Sequence, residues 1–154
     1  MPIINRRRPT EEEVQVSALA RTSRTFDIGT LTPGGDAWQG IFYLENLSVL
    51  ALTLTTNVPV RLRLYTTADQ QTADLSRPWG TLPSGNAGVL LDILTAGDDT
   101  LWEFAPAMAL YDPYDGGLED PVPGSYPATV SMPASGTEGD VTVTLVYIPL
   151  EAGI

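Results

Sequence analysis

Residues 58–67 read Val-Pro-Val-Arg-Leu-Arg-Leu-Tyr-Thr-Thr, and their alternation decides the fold class. Val58, Val60, Leu62 and Leu64 fall on one face of an extended chain, with Arg61, Arg63 and Tyr65 on the other. Successive strand side chains point to opposite faces, whereas a helix would gather residues three and four apart. The same period recurs where Leu50, Leu52 and Leu54 alternate with Ala51, Thr53 and Thr55. It recurs again where Val141, Val143, Leu145 and Tyr147 alternate with Thr142, Thr144, Val146 and Ile148. That last run becomes apolar on both faces towards its end, which predicts a central strand. Further strands are expected over 24–31, 40–47, 87–94, 100–105, 107–111 and 126–132. Between them lie the turn signals Pro33-Gly34-Gly35-Asp36, Pro83-Ser84-Gly85-Asn86, Gly97-Asp98-Asp99, Asp115-Gly116-Gly117 and Ser135-Gly136-Thr137. Many short strands punctuated in this way indicate an all-β sandwich or barrel, and an antiparallel, jelly-roll-like β-sandwich is the expectation. One segment departs from the pattern: Ala68–Arg77, closed by Pro78, predicts a helical turn between two strands.

The 154 residues suit one domain, assigned to 13–154 behind an N-terminal arm at 1–12. A chain of this length buries about 68–70% of its unfolded surface and holds a core without staples. It must do so, because it contains no cysteine. There is also no histidine and no lysine; all eight basic residues are arginines, and all lie at or before Arg77. The eight acids before residue 78 balance them, so the eleven acids of 78–154 carry the whole net charge of −11. Such a domain repels phosphate backbones and anionic membranes, so neither nucleic acid nor membrane is an expected partner. No secretory signal is read in residues 1–13, and synthesis in the cytoplasm is expected.

The arm holds Arg6-Arg7-Arg8-Pro9 and then Glu11-Glu12-Glu13. Thr10 to Glu13 fits a capping box, but the alternation of Val14 and Val16 with Gln15 and Ser17 favours a strand. Arg6, Arg7 and Arg8 are a candidate partner-docking arm, set against the plainer reading of a solvated terminus. Four carboxylates, Asp112, Asp115, Glu119 and Asp120, lie within nine residues that also contain Tyr114, Pro113, Gly116 and Gly117. Calcium takes six to eight oxygens, which makes these four a candidate site, though the spacing is not that of an EF-hand. The competing reading is a solvent-exposed turn. Tyr111 and Tyr114 flank the loop and are the expected surface-binding aromatics, whereas most aromatics of a β domain belong to its core. Arg63 and Asp74 are read as a structural pair, a bidentate contact pinning the helical turn to the sheet.

Without histidine, cysteine or lysine, the usual general bases, thiol nucleophiles and Schiff-base amines are missing, and no phosphate-binding glycine motif is present. The chain is expected to be no enzyme and to need no cofactor. Val60-Arg-Leu-Arg-Leu-Tyr-Thr-Thr67, then Thr72-Ala-Asp-Leu-Ser-Arg-Pro78 and Gly80-Thr81, followed by Gly88-Val-Leu-Leu-Asp92 and Val141-Thr-Val-Thr-Leu-Val-Tyr147, resembles a module of small β-rich virion proteins of tailed bacteriophages. The resemblance implies a tail, baseplate or fibre component located in the virion, with other virion proteins as partners. Homo-oligomerisation as a trimer or ring, and a host surface glycan as target, are the matching expectations. A capsid decoration protein and a free-standing carbohydrate-binding β-sandwich are the alternatives.

Overall fold

The structure, a computed structural model, describes residues 20–85, 87–112 and 123–150. Among the described residues eight strands form: β1 (Thr22–Leu31), β2 (Trp38–Tyr43), β3 (Ser48–Thr56), β4 (Arg61–Tyr65), β5 (Val89–Leu94), β6 (Trp102–Tyr111), β7 (Ser125–Ser131) and β8 (Gly139–Pro149). One short helix, α1 (Ala68–Asp74), joins β4 to β5 where the sequence predicts a helical turn. Thr67 caps it, its hydroxyl accepting from the Gln70 backbone N–H at 3.2 Å.

The pairing is that of one long hairpin: β1 with β8, β2 with β7, β3 with β6 and β4 with β5, all antiparallel. Two further pairings, β3 with β8 and β4 with β7, gather the strands into four-stranded sheets of order β1-β8-β3-β6 and β2-β7-β4-β5. A hairpin wrapped in this way into two facing sheets is a jelly roll, the architecture the alternation predicted. β8 is central, as its two apolar faces require. The stretches 100–105 and 107–111 are parts of one strand. It carries Pro106, tolerated because β6 lies at a sheet edge, where a missing N–H breaks no ladder bond.

Val141, Val143, Leu145 and Tyr147 of β8 face Phe42, Leu62, Leu64, Tyr126, Ala128 and Val130 of the other sheet in one buried cluster. Each large apolar side chain buried this way contributes about 1.5–3 kcal/mol. The Tyr126 hydroxyl donates to the Asn46 and Leu47 carbonyls at 3.1 and 2.9 Å, fixing the β2–β3 connection. At the flank where β1 and β2 adjoin, Phe26 and Phe42 stack at 4.0 Å with an interplanar angle of 1°. The edge strands β5 and β6 therefore lie at the opposite flank.

Candidate functional site

β4 is buried on both faces. Leu62 and Leu64 enter the core, while Arg61, Arg63 and Tyr65 point away from it and are covered by α1 and the segment 75–83. The sequence marks that outer face as polar but does not reveal its cover. Gln71 anchors the cover, its Nε2 donating to the Ala128 carbonyl at 2.6 Å.

Five charged side chains meet beneath it. Asp92, opposite Arg63 on β5, accepts two hydrogen bonds from Arg61, at 2.8 and 2.9 Å. Arg77 Nη2 pairs with Asp92 Oδ2 at 2.9 Å. Asp74 accepts two bonds from Arg77, at 2.8 and 2.9 Å, and one from the Tyr65 hydroxyl at 2.7 Å. Arg63 does pair with Asp74, at 3.6 Å, but the bidentate partner of Asp74 is Arg77, not Arg63. The reason is local: Arg77 lies three residues from Asp74 on the same turn, whereas Arg63 reaches across from the sheet and lies 3.6 Å from both Asp74 and Asp92. Three guanidinium groups against two carboxylates leave this cluster at +1 in a chain of net −11.

The network shifts its acids. The hydrogen bonds from Arg77, assisted by Tyr65 and opposed by burial, hold the Asp74 carboxyl below the usual carboxylate range. Burial works to raise Asp92, but the hydrogen bonds from Arg61 and Arg77 outweigh it, and Asp92 also titrates low. Burial and the bond to Asp74 push the Tyr65 phenol up, so it stays a donor. Both carboxyls thus bind protons less readily folded than unfolded. Their contribution to stability is complete above the unfolded pKa of about 4 and is lost as pH falls through the lower folded values. Protonating the many other acids relieves repulsion at the same time. The expected result is therefore a difference: the stability gap between the native chain and Asp92→Asn is constant near neutrality and narrows below about pH 4. Chemical denaturation across that range measures it, and a gap that widens on acidification contradicts the assignment.

The segment Trp79–Leu82 lies over the network. Arg77 Nη1 donates to the Thr81 carbonyl, and Arg61 Cζ sits 5.1 Å from the centroid of Trp79. Gly80, at φ +79°, makes the turn between them. Trp79 is 45% exposed and Leu82 87%. On one side of Trp79 a hollow of about 210 Å³ is lined by Arg63, Arg77, Thr129 and Ser131; on the other a groove of about 340 Å³ is lined by Arg61, Leu82, Pro83 and Leu94. The hollow is lined mainly by polar and charged side chains, Asp36 among them, and the groove beside Leu82, Pro83 and Leu94 is the apolar one.

The residues singled out from sequence fare differently. Arg6, Arg7, Arg8, Tyr114, Asp115, Glu119 and Asp120 lie outside the described residues. Tyr111 is exposed, as expected. Asp112, expected in a solvent-exposed loop, is buried: its N–H donates to the Leu47 carbonyl at 2.7 Å, and its Oδ2 accepts from the Gly124 N–H at 2.8 Å. That oxygen closes the base of the loop. Among the described residues no group of three or more His, Cys, Asp or Glu is placed to hold a metal ion. Sequence reasoning missed Trp79 and Leu82, grouped with the core or passed over. The signal was Pro78-Trp-Gly-Thr-Leu-Pro83, a tryptophan and a leucine in a segment bounded by prolines, which no strand can bury. Comparison of the chain with protein-family models and with curated proteins finds no match.

Proposed function

We propose that the chain is a non-enzymatic structural subunit of a tailed-bacteriophage virion, in the tail, baseplate or fibre, working as one copy in a symmetric homo-oligomer among other virion proteins. The supporting observation is the exposed Trp79 and Leu82 on a loop tied to the sheet through Arg61 and Arg77, on a jelly-roll body. Exposed tryptophan, ordered in advance by Arg61 and Arg77, is interface chemistry: aromatic and arginine side chains dominate binding hot spots, and pre-ordering lowers the entropic cost of association. Jelly rolls also serve as capsid and lectin domains, so architecture alone does not distinguish a tail part from a decoration protein or a glycan-binding module. The virion assignment rests on the sequence resemblance. Immunogold labelling of purified particles with antibody against this chain tests it. Label on the tail, baseplate or fibres is the expected result, label on the capsid shell would assign it to decoration, and particles without label would overturn the reading.

A further inference from the structure

The hollow beside Trp79 is built from three separate parts of the chain. Thr129 and Ser131 of β7 share the outer face of one sheet with Arg63 of β4, which lies opposite Thr129 in register. Arg77 and Trp79 come from the segment after α1, and Asp36 from the connection between β1 and β2. That connection is fixed: the Gly34 N–H donates to the Met132 carbonyl and the Gly35 N–H to the Thr32 carbonyl, both at 3.0 Å. The Arg61 guanidinium, which lies over the Trp79 ring, lines the groove and not the hollow. The indole surface that borders the hollow is therefore not the one that Arg61 covers.

Part of the lining is already satisfied. Arg77 is held by Asp74 and Asp92, and the Thr129 hydroxyl bonds Tyr65. Three groups are not. Arg63 Nε has no hydrogen-bond partner, Asp92 Oδ2 lying 3.6 Å away. Its Nη1 and Nη2 reach carbonyl oxygens only at 3.5 and 3.3 Å, longer than the usual range of about 2.7–3.2 Å. Among the described residues, neither the Asp36 carboxylate nor the Ser131 hydroxyl has a hydrogen-bond or ion-pair partner. Asp36 thus lines the same hollow as Arg63 and Arg77 without pairing with either: the space of about 210 Å³ keeps acceptor and donors apart.

We infer that this hollow is a binding site for one neutral pyranose ring of a saccharide. The inference goes beyond the proposed function and does not rest on it. The unfilled groups select the class of ligand, which must accept from Arg63 and donate to Asp36 at once. An anion satisfies the first and is repelled by the second; a cation does the converse. A hydroxyl both donates and accepts, so neighbouring hydroxyls on one ring meet both groups, and Ser131 bonds either way. The C–H face of the same ring is apolar and covers the indole of Trp79. Size agrees as well. Pockets for drug-sized ligands hold about 300–1,000 Å³, and this hollow, at about 210 Å³, takes a single ring.

Saturation-transfer-difference NMR of the full chain with the methyl glycosides of glucose, galactose, mannose and N-acetylglucosamine tests this. At least one is expected to bind, with a Kd of about 1 mM for a ligand of about a dozen atoms. Asp36 is exposed and unpaired, so Asp36→Ala leaves folding intact. It is expected to weaken binding about tenfold through the loss of one charged hydrogen bond. Trp79→Ala is expected to weaken it at least as much by removing the platform. Leu82→Ala, in the groove, is expected to change nothing. A methyl glucuronoside and glucosamine are expected to bind more weakly than the neutral glycoside. Glycine, which offers a carboxylate and an ammonium group but no ring face, is expected not to bind. No saturation transfer to any of the four neutral glycosides overturns the inference. Binding that survives both Asp36→Ala and Trp79→Ala unchanged overturns it too, as does tighter binding of a charged sugar or of glycine. A chain that binds as expected but is absent from particles sustains the inference and removes the virion reading; labelled particles and a chain that binds no glycoside do the reverse.

Discussion

Replacing Asp92 by alanine is expected to lower the stability of the folded chain by about 3 kcal/mol, the lower end of the cost of breaking a buried ion pair because the carboxylate is partly exposed. At about 2–4 °C per kcal/mol for a chain near this size, the melting temperature should fall by about 6–12 °C. Asp92 is the carboxylate that all three arginines approach: Arg61 through two hydrogen bonds, Arg77 at 2.9 Å and Arg63 at 3.6 Å. Its removal leaves Asp74 alone against three guanidinium groups whose side chains are at most 10% exposed. The penalty comes from charges left unpaired away from water, and this separates it from the loss of a surface salt bridge, which is about 0–1 kcal/mol. Asp92→Asn keeps the volume and part of the hydrogen bonding, so it should fall between the native chain and the alanine variant. Differential scanning calorimetry compares the three. An alanine variant within about 1 kcal/mol of native would mean that the arginines find water, and that the network does not hold the Trp79 loop in place.

The strands were legible because each carries its own period. β8 and β4 are read correctly from Val141–Tyr147 and Val58–Tyr65 alone, and α1 from Ala68–Arg77 and its closing proline. Alternation, however, says only which residues share a face. It does not say what covers that face, and of Arg61, Arg63 and Tyr65 only Arg63 was given a partner, when all three lie in a second, polar core beneath α1. The pairing partners follow the same limit. Asp74 and Arg77 are only three residues apart, a signal that the pairing of Arg63 with Asp74 as the bidentate contact overlooked. Asp92 had no such signal: it joins the cluster only because β5 pairs with β4 in a register that sets it opposite Arg63. Trp79 and Leu82 could be placed in a loop from Pro78 and Pro83, but their exposure depends on Arg61 and Arg77 holding that loop against the sheet.

Phe42→Ala is expected to be at least as costly, about 3–5 kcal/mol, by a different mechanism. Phe42 is fully buried, stacked on Phe26 and tilted against Trp38 with ring centroids 6.0 Å apart. It closes the flank at which β1 and β2, the edges of the two sheets, come together. Truncation opens a cavity the size of a phenyl ring between strands whose backbones are fixed by pairing to β8 and β7, so the walls cannot collapse onto it. Phe42→Leu fills most of the space and should cost about 1 kcal/mol. Urea denaturation should show the midpoint fall with an unchanged m-value, since the same surface is exposed on unfolding. A Phe42→Ala variant that loses less than about 1 kcal/mol would show that the aromatic stack does not seal the β1–β2 flank.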